Sequence, residues 1–82
     1  MNLLNNYGIN INSIESISIY LDDNVPEYME GVLRIGSVKI STNNNQEFDI
    51  QEFVDNSEFH SEKAIENFVN KTLGTSIATV IE

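Results

Sequence analysis

From Glu15 onward the chain alternates, with Ile17, Ile19 and Leu21 interleaved with Ser16, Ser18 and Tyr20. A period of two sends alternate side chains to opposite faces of an extended backbone, so this segment is predicted to be a half-buried strand. Asp22-Asp23-Asn24-Val25-Pro26 closes it, because Pro26 has no N–H to give a ladder and the acidic residues favour a turn. A second apolar stretch runs from Tyr28 to Thr42, interrupted at Gly36-Ser37. Two structures fit it. If Gly36-Ser37 is a two-residue hairpin turn, Ile35 pairs with Val38 and Leu33 with Ile40, but Arg34 then faces Lys39, an unfavourable like-charge pair. If Gly36 is a bulge in one long strand, the inward alternation is restored without that clash, and this reading is preferred.

Asn43-Asn44-Asn45 reads as a turn into a third strand at 46–50, with Phe48 and Ile50 inward and Glu47 and Asp49 outward. After a polar connection at 55–58 the period changes to that of a helix. Ser61 is a natural N-cap, Ala64, Ile65, Phe68, Val69 and Leu73 mark one helical face, and Gly74 supplies the stop. Glu62 and Lys71 sit at the ends of the helix dipole that favour them. Residues 75–81 are short and rich in β-branched side chains on both faces, which suits a strand. Leu3, Leu4 and Tyr7, followed by Gly8, suit a short helical turn at the N-terminus.

The elements run β-β-β-α-β. They predict a small α+β fold in one domain, residues 1–82, with four to five mainly antiparallel strands and one helix packed on one face. A chain of 82 residues buries roughly 60–65 % of its extended surface on folding, enough for one such layer. The other sheet face, bearing Tyr20, Arg34, Glu47 and Asp49, is left to solvent or to a partner.

Charge changes this picture. Thirteen Asp and Glu oppose four Lys and Arg, for a net charge of −9 at pH 7. Glu47, Asp49, Glu52, Asp55, Glu58, Glu62 and Glu66 fall close together in sequence, relieved only by Lys63. Glu62 and Glu66 stand one helical turn apart, a spacing that costs a few tenths of a kcal/mol. Such a field repels a phosphate backbone, so direct binding to nucleic acid is excluded as an expectation. No cysteine is present, which removes disulfides and thiolate metal sites and weakly favours a reducing compartment. No signal-peptide pattern and no apolar run of about 18 residues occurs, so a cytoplasmic location with no membrane contact is expected.

Candidate chemistry is sparse. His60 stands near Ser57 and Ser61, but neither an orienting acid nor a nucleophile-elbow motif accompanies them. Asp22, Asp23, Glu27 and Glu30 lack the alternating oxygen ligands and central glycine of a calcium loop. Asn70-Lys71-Thr72 matches a glycosylation acceptor, yet lies within the predicted helix. No phosphate-binding loop is present, and neither a metal nor a cofactor is expected.

The acids are the remaining candidate. In size and charge the chain resembles the small acidic inhibitors of phages and mobile elements, such as anti-CRISPR proteins and other DNA mimics. That resemblance implies an inhibitor that occupies the nucleic-acid-binding surface of a basic nuclease or defence effector. Its contacts are expected from the outward acids, Glu47, Asp49, Glu52, Asp55, Glu58 and Glu62. The alternatives are an immunity protein that neutralises a toxin, and a structural component forming a homodimer through the strand Thr75–Ile81.

Overall fold

A computed structural model describes residues 3–22, 31–53 and 58–81. Four strands form one sheet in the order β3-β2-β1-β4. They are β1 (Ile14–Leu21), β2 (Ile35–Thr42), β3 (Glu47–Asp49) and β4 (Ala78–Ile81). β1 pairs antiparallel with β2, β2 antiparallel with β3, and β1 parallel with β4. The β-β-β-α-β order and the small α+β class agree with the alternation, and the sheet is mixed because its last strand joins parallel. β3 and β4 therefore run the same way at opposite edges, and the chain between them must cross the sheet. Helix α2 (Glu62–Leu73) makes that crossing on one face.

The helix ends where its sequence says it must. Ser61 is extended at φ −156°, and its Oγ accepts the N–H of Ala64, while Gly74 adopts φ 73° and donates its N–H to Asn70. Ile65, Val69 and Leu73, at i, i+4 and i+8, are completely buried. Burial of each contributes about 1.5–3 kcal/mol. Ala64 and Phe68, expected on the same face, are exposed instead. The buried stripe is narrower than the apolar pattern, and Phe68 lies at its margin, in edge contact with Phe53 and tilted contact with Phe59.

Under the helix lie Ile17 and Ile19 of β1 and Ile35, Val38 and Ile40 of β2. Ile35 and Val38 are three residues apart, yet both face the core. The register explains this: Tyr20 pairs with Ser37 and Leu21 with Ile35, so Gly36 is the extra residue of a β-bulge. The bulge reading of Gly36-Ser37 is the one the structure adopts. A Cβ at Gly36 would meet the Leu21–Asp22 peptide at 3.1 Å. That peptide is itself held by Asp22 N–H donating to Arg34 C=O at 2.9 Å. A second bulge interrupts β1, where Ile14 pairs with Thr42 and Ser16 with Ser41, leaving Glu15 unmatched.

The remaining segments close the ends of the sheet. In the β2–β3 turn Asn45 adopts φ 65°, Thr42 N–H donates to Gln46 C=O, and Gln46 N–H donates back to Thr42 Oγ1. Helix α1 (Leu3–Asn6) buries Leu4, and Tyr7 Oη accepts the N–H of Gln51 at 3.3 Å. Gln51–Phe53 forms a 3-10 turn absent from the sequence expectation, and it buries Phe53 against the core. The last strand is shorter than the expected 75–81 because residues after Gly74 first complete the helix cap. The turn at 23–26 lies outside the described residues.

Substitutions at two positions test this framework. Gly36→Ala should destabilise by about 1 kcal/mol and Gly36→Val by more, because the facing backbone is already hydrogen-bonded and cannot recede. A denaturation midpoint for Gly36→Ala at or above the wild-type value would contradict the bulge. Ser61→Ala should cost about 1 kcal/mol, measured the same way, whereas Ser61→Asp should retain most of the stability.

Candidate functional site

The sheet has one covered face and one open face. Pairing registers lay out the open face in rows: Ile81, Tyr20 and Ser37 in one, Thr79, Ser18, Lys39 and Asp49 in the next, then Ser16, Ser41 and Glu47. Serine and threonine keep this surface low. Tyr20 and Lys39 rise above it, with the Lys39 ammonium 5.8 Å from the Tyr20 ring centroid, within cation–π range.

Of the acids expected to meet a partner, Glu47 and Asp49 both point outward from β3 and are exposed. Two residues of strand separate them, about 7 Å. Glu58 is also exposed, and it forms a salt bridge to Arg34 at 3.4 Å, beside the Leu33–Phe59 bridge at the far end of β2. Glu62 opens α2 and is half-buried. Glu52 lies in the 3-10 turn, and Asp55 lies outside the described residues. Asp49 pairs with Lys39 and Phe59 with Leu33, six positions apart along β2. Asp49 and Glu58 therefore stand on the order of 20 Å apart.

The fold adds a carboxylate that the run does not contain. Glu15, on the β1 bulge, lines a hollow of about 360 Å³ with Glu47, and Ser16 and Ser41 lie between them. Two strand spacings, about 10 Å, separate the two acids. Among the described residues Glu15, Glu47 and Asp49 make no salt bridge, whereas the Glu58 charge is met by Arg34. Alternation alone does not find Glu15, because its place beside Glu47 depends on the order of three strands. The acidic feature of this surface is thus Glu15, Glu47 and Asp49 at the hairpin end of the open face.

Other candidates fall into place. Ser61 Oγ is engaged as the helix cap, His60 is exposed, and Ser57 lies outside the described residues. Of the acids at 22–30, only Asp22 is described, and among the described residues no three His, Asp or Glu gather as metal ligands. The Asn70 amide is half-buried and bonded to Ala78, so the glycosylation-like triplet carries a packing role. β4 does lie at an edge, with Ile77 and Ile81 exposed at 44 % and 42 %. No helix among the described residues is long and apolar enough to cross a membrane. Comparison with protein-family models, curated proteins and solved structures finds no match to this chain.

Exposed carboxylates without partners repel, and salt screens them. With a net charge of −9, the melting temperature should rise as NaCl is increased from ~10 mM to ~0.3 M, where the Debye length falls below about 10 Å. Glu47→Gln should reduce that dependence. A melting temperature that stays flat or falls with salt would show that repulsion does not limit stability.

Proposed function

We propose that this chain is an acidic protein-binding inhibitor that docks on the nucleic-acid-binding surface of a basic protein, such as a nuclease or defence effector. One observation supports the reading most directly: Glu15 and Glu47 line one hollow on the open sheet face, with Asp49 two residues beyond Glu47 and opposite Lys39, and none of the three acids makes a salt bridge among the described residues. Carboxylates in this setting lose little by exchanging water for Lys and Arg side chains arranged to receive phosphates. Association would be fast and salt-sensitive, since the whole chain's field draws a basic partner in. Glu58, which faces Arg34, and Glu62 at the start of α2 are further candidate contacts, and Glu52 and Asp55 are proposed from the sequence alone. An immunity protein acting on a toxin nuclease would use the same contacts.

Self-association through the segment 75–81 is the second reading. Exposed Ile81 on β4 and Ile77 just before it favour it, and Ile81 would meet the partner from the open face of the sheet.

Immobilised protein challenged with a bacterial lysate tests the first reading. It should retain a basic nucleic-acid-binding protein that elutes at moderate salt, and the captured protein should lose its nucleic acid when this chain is added. The triple variant Glu15→Lys, Glu47→Lys, Asp49→Lys should lose that capture while keeping the wild-type circular dichroism spectrum. Capture undiminished by the triple variant, or independent of salt, would sink the proposal.

A further inference from the structure

A sheet edge normally leaves a row of backbone N–H and C=O groups open to another strand. Backbone groups alternate sides along a strand, so those of Ala78 and Val80 share one side of β4. All the acceptors and donors found for them come from α2. Asn70 Oδ1 accepts the Ala78 N–H at 2.9 Å, Asn70 Nδ2 donates to the Ala78 C=O at 3.4 Å, and Glu66 Oε2 accepts the Val80 N–H at 3.0 Å. Asn70 thereby gives Ala78 both halves of a ladder pair, as a neighbouring residue of strand would. It is fixed in turn by Thr75, whose Oγ1 donates to the same Oδ1 at 2.8 Å.

We infer that α2 closes most of the free edge of the sheet, with Asn70 and Glu66 occupying the Ala78 N–H and C=O and the Val80 N–H, three of the four backbone groups that a second copy of this chain would need to pair with Ala78 and Val80. Glu66 and Asn70 lie four apart, so both reach the strand from one side of the helix. The arrangement also penalises the competing pair. Two β4 strands related by a two-fold axis would each have to release Glu66 from Val80, and both freed carboxylates would then border the new interface. This device acts on the strand edge and is independent of partner binding on the open face.

Amide hydrogen exchange by NMR, together with light scattering over a concentration series, tests it. In wild type, the Ala78 and Val80 amides should be protected although they face the sheet's edge. Glu66→Ala should speed exchange at Val80 roughly tenfold relative to Ile17 and Ile19, and Glu66→Gln, which keeps an acceptor, should restore protection. Glu66→Ala with Asn70→Ala should add concentration-dependent mass beyond that of wild type. If the double variant does not fold, Glu66→Ala alone carries both readings, because Glu66 is only half-buried. Unchanged Val80 exchange, or an unchanged mass profile in a folded variant, overturns the inference.

Discussion

Side chains alternate along a strand, so an antiparallel pair stays one-sided only while both strands keep step. β1 and β2 hold this molecule together, and in both the apolar spacing slips by one residue. Ile35 and Val38 cannot share a face in a regular strand, and neither can Ile14 and Ile17. Each slip is absorbed by an extra residue, Gly36 on β2 and Glu15 on β1, one towards each end of the ladder. Because the bulges lie on opposite strands, the pairing between them stays in register and presents a continuous apolar floor to α2. Ile65, Val69 and Leu73 of that helix are then buried completely in the shared core.

That one-sidedness decides where the charge goes. With the covered face reserved for aliphatic side chains, the acids of the strands can only project from the open face or from the rims. The bulge at Glu15 carries a carboxylate to the hairpin end of the open face, where β3 supplies two more. The opposite end of β2 instead receives Glu58 beside Arg34, and there the charges compensate. The long acidic run is thus not a single patch. Glu58 meets Arg34 at one end, whereas Glu15 and Glu47 at the other make no salt bridge among the described residues.

Legibility in the sequence follows from how local each cause is. The helix could be read between Ser61 and Gly74 because both stops act through their own backbone. The Gly36 bulge was legible because its alternative placed Arg34 opposite Lys39. The Glu15 bulge was not, since β1 taken alone alternates without interruption after Ser16 and the mismatch appears only when Ser41 and Thr42 lie alongside. For the same reason the acidic run at 47–62 concealed Glu15. Phe68 fits the helical period, but periodicity cannot tell how wide a stripe the sheet will cover. Asn70 looked like part of a modification triplet, and its service to Ala78 depends on a strand that arrives after the helix has ended.

The acids divide by what the fold already asks of them. Glu66 caps a backbone N–H, which gives a physical reason for keeping it one turn from Glu62 despite their repulsion. Glu58 balances Arg34. Glu47 and Asp49 flank a three-residue edge strand, and short, charged edges resist pairing with other chains, so these two have a structural use apart from any partner. Glu15 has none of these duties. A bulge residue exposed to solvent tolerates most side chains, and a serine there would satisfy the backbone equally well without adding to the repulsion. Among the carboxylates of the open face, Glu15 is therefore the one whose charge the fold does not need.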